Sequence, residues 1–493
     1  MKYLYGATIQ GIQSFIFETN KLKEIAGASE LVDYICRDLF QETVGKLYYN
    51  EENLLIAAAG HIKYLFDDEE SCRSLVLTFP RIVMQLAPGI TISQAVVKVE
   101  KEITPEHIQQ LETHLKIQRN RPTVQHGLGL MISERSRRTG KPGIHWEKGA
   151  VIDAAQRAKR DFTKDSKVSL LKKLLPDAKG YQYHKLFPEE MEDIAGKDKK
   201  NWVAVIHADG NDLGKKIMAM VAPGKETFRQ LSEKIGSATE QAARQAFNLV
   251  VKRNTEEGNL FPFRPILLGG DDLTVIIRGD LAIDFTWAFL KAFEEETAKE
   301  FKDFEVDHFR GGLTACAGIA YVKANYPFYY GAHLADALCA QAKKVAKDIN
   351  TNRTPSCLLF HKVHSSFVED YKDIVEQELT VKQELISDQI RLDYGPYFLY
   401  PQTGGYATIE QLNGWVKILN EDASPRSRLR NWLTELQVNQ EAAAQKVDRI
   451  RRITSARYVR ELNLKEPFSD RFDKNQKRFS HTHLFDAIAL SSI

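Results

Sequence analysis

Apolar and polar positions along the chain run through the same alternation twice. Residues 3–9 have strand character. Residues 10–45 carry Ile12, Phe15, Ile16, Leu22, Ile25, Leu31 and Ile35 roughly on one side, which predicts helix. Residues 53–59 form an apolar run, Gly60-His61 interrupts it, and 62–66 resumes, the pattern of a hairpin. Residues 70–86 predict a helix and 91–99 a strand, so the order is β-α-β-β-α-β. It recurs further on. Strand 202–208, helix 227–252, strand 262–268, a turn at Gly269-Gly270-Asp271-Asp272, strand 273–277, helix 281–301 and strand 313–322 are followed by an added helix, 333–347, and strand 356–360. The expected fold class is α+β, with two ferredoxin-like βαββαβ domains arising by duplication.

The remaining segments lack this alternation. Residues 104–200 are charge-rich. They hold Arg135, Arg137, Arg138 and Lys141, then Lys159, Arg160, Lys164, Lys167, Lys172 and Lys173. Short helices are expected there, with loops in 127–143 and a solvated boundary at 196–200. Residues 366–493 read as mostly helical, with starts at Thr408, which has Gln411 three residues on, and at Ser424, followed by Pro425. The expected organisation is 1–103 first domain, 104–200 mostly helical linker, 201–365 second domain and 366–493 C-terminal helical domain.

Composition narrows the class. The 493 residues are 43% hydrophobic and 27% charged, which excludes a wholly disordered or collagen-like chain. Sixty-eight Lys+Arg against sixty-six Asp+Glu exclude a globally basic nucleic-acid coat and leave room for a local basic patch. The five cysteines include no C-x-x-C pair, which argues against a disulfide framework or cysteine zinc site and for a reducing, cytoplasmic setting. Neither a signal peptide nor a membrane span is expected.

The chemistry concentrates in the second unit. Asp209 closes an apolar strand in Ile206-His207-Ala208-Asp209-Gly210-Asn211-Asp212-Leu213-Gly214, and Asp271 and Asp272 sit at a hairpin tip. In a ferredoxin-like sheet the first strand and the central hairpin are neighbours, so three distant acids should converge. Like charges that close repel, and a divalent cation removes the cost. Hard carboxylate oxygens suit Mg2+ or Mn2+, and two ions about 3.5–4 Å apart would activate a ribose hydroxyl and stabilise departing pyrophosphate. Gly269 and Gly270 permit positive φ and close approach of phosphates. The turn Gly210-Asn211-Asp212-Leu213-Gly214 would offer N–H groups to a triphosphate. The bland readings are turn chemistry for Gly-Gly-Asp-Asp and a helix cap for Asp209.

These motifs resemble the palm domains shared by GGDEF diguanylate cyclases and the polymerase-like large subunit of type III CRISPR effectors, and the CRISPR branch more closely. Residues 208–214 resemble its first metal motif, Gly269-Gly270-Asp271-Asp272 its G-G-D-D motif, and 313–320 with 335–347 its last strand and helix. The resemblance implies that Lys343, or Lys347 one turn on, contacts the triphosphate. Residues 11–16 and 22–29 resemble the opening of the first palm, and the tail around Ser424-Pro425-Arg426-Ser427 the C-terminal helical domain. No His-Asp phosphohydrolase motif precedes the first palm, so DNA cleavage in cis is not expected. The cysteine zinc site common between the palms has no counterpart in 124–143.

The first palm reads as degenerate. It has Ala7-Thr8-Ile9 where the second has Asp209, and Ala58-Ala59-Gly60-His61 in place of G-G-D-D. The resemblance places an acceptor nucleotide against it, with Ser29 and Gly27 as contacts. Outside the palms, His481 and His483 read as packing or surface residues and Glu294-Glu295-Glu296 as a solvated helix face. Arg426, Arg428, Arg430, Arg449, Arg451, Arg452, Arg457 and Arg460 read as a charged helical surface or an RNA or subunit contact.

The expected activity is metal-dependent nucleotidyl transfer or cyclisation, from ATP to a cyclic nucleotide or cyclic oligonucleotide messenger in antiviral defence. Substrate and messenger role are implied by the resemblance. The alternatives are an assembly subunit of an RNA-guided effector, active only with target RNA and partners, and a nucleotide-binding regulator without turnover.

Overall fold

The computed structural model describes residues 1–493 except 46–47, 59, 101, 122–131, 148, 163–168, 179–184, 197–200, 219–224, 365–370, 382–388 and 473–477. Strands β1 (Lys2–Gln10), β2 (Leu54–Ala58), β3 (His61–Phe66) and β4 (Thr91–Val99) form an antiparallel sheet in the order β2-β3-β1-β4. Strand β1 is buried along nearly its whole length because both faces are covered. Tyr3, Tyr5, Ala7 and Ile9 enter a core with Ile25, Leu31 and Phe79, while Leu4 joins Leu65, Val97, Leu111 and Leu115. Period-two alternation therefore meets an apolar layer on each side. The helix expected over 10–45 is divided. Helix Ile12–Ile16 ends before helix Leu22–Tyr34, which continues through a π turn, Ile35–Leu39, into Phe40–Val44.

The linker adds a hairpin to its helices. Helices Pro105–Arg119, Ala154–Phe162, Ser169–Leu174 and Met191–Ala195 are joined by a hairpin of β5 (Gly143–Glu147) and β6 (Ala150–Asp153). Alternating Ile144 and Trp146, with Gly149 at φ 76°, supply the turn and strand signal that charge density obscured. Its basic residues bind the first domain. Arg138 and Arg160 pair with the fully buried Glu24, and Lys141 and Lys159 with Glu18. Lys164, Lys167, residues 127–131 of the expected loops and 197–200 of the expected boundary lie outside the described residues.

The second sheet repeats the first. Strands β7 (Trp202–Gly210), β8 (Phe263–Gly269), β9 (Asp272–Arg278) and β10 (Ala315–Lys323) run β10-β7-β9-β8, the same topological order, and β11 (Cys357–Lys362) adds on in parallel to β10. Helices Lys225–Ala246 and Ala282–Glu300 pack against each other, and helix Phe328–Ile349 crosses between β10 and β11. The tail contributes β12 (Thr380–Val381), β13 (Gln389–Arg391), β14 (Tyr397–Phe398), β15 (Ser469–Phe472) and β16 (Arg478–His481). Strand β14 joins the second sheet next to β11, and the other four form a small sheet. The tail is thus helical with a sheet of its own.

Several smaller expectations change or sharpen. Thr408 and Gln411 form the reciprocal cap expected of them. Ser424 does not cap: its hydroxyl donates to the Leu419 carbonyl, and helix Arg426–Val438 starts after Pro425. Glu294-Glu295-Glu296 is not a solvated face, since Glu296 is buried and accepts from Gln245 and Lys299, and Glu294 accepts from Ser356. His481 and His483 are packed inside and bond the carbonyls of Asp393 and Leu462. Among the tail arginines, Arg426, Arg451 and Arg457 are engaged internally with Ser491, Asp448 and Glu421. Among the described residues no helix is long and apolar enough to cross a membrane.

Candidate metal centre

The register of the second sheet brings the acids together. Asp209 on β7 is directly opposite Asp272 on β9, and the two-residue turn between β8 and β9 carries Asp271. One carboxylate oxygen from each of Asp209, Asp271 and Asp272 lies within 4.8 Å of the others. The turn closes because Gly270 adopts φ 63° and has open space around its missing side chain. Gly269 pairs with Asp272. Gly210 is required by proximity: a Cβ there would stand 2.8 Å from Asp271 Cβ, and its N–H donates to the Asp271 carbonyl.

Lys343 reaches the cluster from helix Phe328–Ile349, donating to Asp209 Oδ2 and, at 2.9 Å, to the Gly210 carbonyl. Burial works against its charge, but the Asp209 carboxylate outweighs that and raises its pKa. A mid-strand glycine makes the approach possible. A Cβ on Gly318 would stand 2.0 Å from the Ala335 carbonyl, so the helix lies directly on β10. Lys347, one turn on, is 3.8 Å from Asp212 Oδ1.

The turn after β7 is held from the far side. Asp212 has φ 57° and accepts from the Thr354 hydroxyl. Asn211 is buried, its amide N–H and side-chain Nδ2 bonded to Thr314, and its Oδ1 has no partner. Two of the expected phosphate-binding N–H groups, those of Gly210 and Asn211, are thus engaged within the protein. Those of Asp212, Leu213 and Gly214 stand at the start of helix Leu213–Met218. This turn borders a cleft of about 410 Å³ with Lys215, Lys216, His308, Arg353 and Thr354 on its walls. Thr314, Gly318 and Thr354 escaped the reading of single motifs. Only Gly318 left a signal, a glycine inside an apolar strand.

The donor set fits a hard divalent cation. Burial first, and then the neighbouring carboxylates, push Asp271 up to about 6 and Asp272 up to about 9. Three partly buried acids with one lysine form an under-neutralised oxygen cluster, which Mg2+ or Mn2+ would relieve.

Ser29 sits elsewhere. It is buried on helix Leu22–Tyr34, its hydroxyl has no partner, and with Asp33 and Leu170 it lines a small cleft of about 20 Å³ against Leu267, Leu268 and Gly269. It faces the hairpin's flank and is not in the acid cluster. Gly27 is on the same helix.

Residues 202–351 match the family model of the Cas10/Cmr2 second palm domain. No curated protein sequence matches the chain. Among solved structures, the Csm1–Csm4 cassette in complex with pppApApA is similar over 100% of this chain and 69% of its own, at 14% identity and TM-score 0.56. The same cassette in complex with cA4 is similar over 72% of this chain and 54% of its own, at 14% identity and TM-score 0.46. The chain therefore spans about half the length of that relative. At such identity the likeness is one of fold. Residues 202–351 thus match a Cas10/Cmr2 second palm in sequence, and the chain as a whole is similar in fold to the solved Csm1–Csm4 cassette.

Proposed function

We propose that this protein is a metal-dependent nucleotidyltransferase that joins or cyclises ATP into a cyclic nucleotide or cyclic oligonucleotide, as a messenger in CRISPR-type defence. The convergence of Asp209, Asp271 and Asp272 carries the reading. These three would hold Mg2+ or Mn2+, two ions in the working site. The ions supply positive charge where a ribose hydroxyl attacks and where pyrophosphate leaves. The chain's own residues position the substrate. Lys343 and Lys347 lie beside Asp209 and Asp212 and would hold the triphosphate, with the free N–H groups of Asp212, Leu213 and Gly214. The glycines Gly210, Gly269 and Gly270 keep side chains away from the path of the phosphates. In this reading 201–365 is the working palm, 1–103 the degenerate one, 104–200 the linker and 366–493 the outer domain.

The test is direct. The purified chain is given each nucleoside triphosphate with Mg2+ or Mn2+, and products are identified by mass spectrometry beside an Asp271→Ala/Asp272→Ala variant. A cyclic product from ATP, absent in the variant, is expected. No product under any condition, partners included, would overturn the reading.

A second reading has its own support, the likeness of the whole chain to one found in a Csm1–Csm4 cassette. In it the chain works inside an assembly with partner subunits and RNA, and synthesis starts only when target RNA is bound. Silence of the isolated chain, followed by activity once partner subunits and target RNA are added, would favour it.

A further inference from the structure

The acidic hairpin sits at the edge of its sheet, since β8 has a neighbour, β9, on one side only. An edge strand has carbonyls that no ladder satisfies. At the strand's last turn Lys173, from the linker, takes that place. Its ammonium donates to the Leu268 carbonyl at 2.9 Å, one residue before Gly269-Gly270-Asp271-Asp272. The ammonium is almost fully buried and is anchored by Asp33 of the first palm at 3.1 Å, with Glu240 at 3.4 Å. Its own backbone is pinned, because the Arg244 guanidinium donates twice to the Lys173 carbonyl. A second clamp acts two residues on: the Thr239 hydroxyl donates to the Gly270 carbonyl at 2.7 Å.

We infer that Lys173 is a positioning residue for the metal centre: it fixes the hairpin bearing Asp271 and Asp272 in register with helix Leu22–Tyr34 of the first palm. The inference rests on the metal site proposed above. Lys173 touches no substrate and no metal ligand. It acts through the backbone, and it gives the first palm, which has no acids at the matching hairpin tip, a mechanical hold on the acids of the second. A backbone carbonyl held by a buried, ion-paired ammonium is a strong charge-assisted bond. Groups bonded directly to metal ligands alter affinity about 10–100-fold, and a clamp on the backbone three residues away should act at the lower end of that range.

The test uses the full chain and Mn2+ alone, read by calorimetry and by the electron paramagnetic resonance of free Mn2+. Lys173→Met should weaken Mn2+ binding about tenfold, and Lys173→Arg should recover most of it. Leu171→Ala, a buried neighbour on the same short helix that holds no carbonyl of the hairpin, serves as the control for general damage. It should lower the melting temperature and leave Mn2+ affinity within about twofold. If Lys173→Met fails to fold, Thr239→Val and Asp33→Asn carry the test and should each weaken binding. Absence of Mn2+ binding by the wild-type chain would overturn the metal site itself. Wild-type binding with unchanged affinity in Lys173→Met, or in both substitutes, would overturn the positioning role alone. So would equal weakening by Leu171→Ala.

Discussion

The two palms share one strand order and carry opposite chemistry at one matched pair of facing positions. In the second, β7 sets Asp209 opposite Asp272. In the first, β1 sets Thr8 opposite His61. The hairpin tips diverge as well. Gly270 has nothing within 4 Å of its missing side chain, whereas a Cβ on Gly60 would stand 2.2 Å from Ile12 Cδ1. One tip is open and acidic, and the other is plugged by an isoleucine. A hydroxyl, a histidine and a blocked turn cannot chelate a hard cation. The same scaffold thus carries an acid cluster in one copy and a packing surface in the other, and the second use is visible. Asn20, beside the first palm's short helix, accepts from the Phe328 N–H, and the Phe17 ring packs at a tilt against Phe328 with ring centres 5.2 Å apart, both at the start of the helix that carries Lys343.

The sharpest way to break this contrast is to exchange the ends of it. Asp271→Ala/Asp272→Ala should abolish cation binding and lower product formation by at least about a thousandfold, because metal and transition-state charge stabilisation go together. His61→Ala, at the matching position of the first palm, should leave both within about twofold. Calorimetry with Mn2+ and mass spectrometry of products read the two variants side by side. Loss of activity in His61→Ala comparable to that in the acid variant would contradict the division of labour.

Gly318→Ala comes next. The added methyl meets backbone atoms, the Ala335 carbonyl and the Cys339 nitrogen at 2.4 Å, which cannot swing aside. Overpacking of this kind costs about 1–3 kcal/mol, so the melting temperature should fall by several degrees. Because the displaced helix carries Lys343, the KM for ATP should rise as well. Lys343→Ala tests that lysine without the steric change. It should raise the KM for ATP about tenfold, the size of one charge-assisted contact.

The smallest effect is one of pH. Asp271 and Asp272 titrate at about 6 and about 9 in the folded chain, above the ordinary 3.8. The folded state therefore binds more protons than the unfolded one in that window. Without metal, the stability these two groups contribute should be fully present below the ordinary carboxylate pKa and be lost as pH rises toward 9. Asp271→Asn/Asp272→Asn should flatten the slope, and saturating Mn2+ should raise the melting temperature more at pH 8.5 than at pH 5.5. Differential scanning calorimetry across pH reads all three. A metal-free protein whose stability rises over that window would contradict the burial of the acids.

Much of this was legible beforehand. Apolar runs and their separation placed all eight strands of the two palms within a few residues, because strands buried on both faces leave near-continuous apolar runs. The linker hairpin was missed because the surrounding charge masked a short alternating run. The break in the 10–45 helix was missed because the apolar spacing persists through Phe17 and Leu22, on either side of a turn. The acids were found because carboxylates at apolar strand ends and hairpin tips stand out by residue type alone. Their supports did not stand out. Lys173 looked like one more charge in a basic stretch, and Glu296 like one more in an acidic one.

Residue order alone dictated the two alternating units, the acids in one of them and their loss from the other, since periodicity and residue type are local properties of a chain. It could not dictate that Lys173 would meet the Leu268 carbonyl, that Thr354 would hold Asp212, or that Ile12 would fill the first tip. Those contacts join segments that lie far apart along the sequence. They exist only once sheets and helices have packed and each buried polar group has had to find its partner.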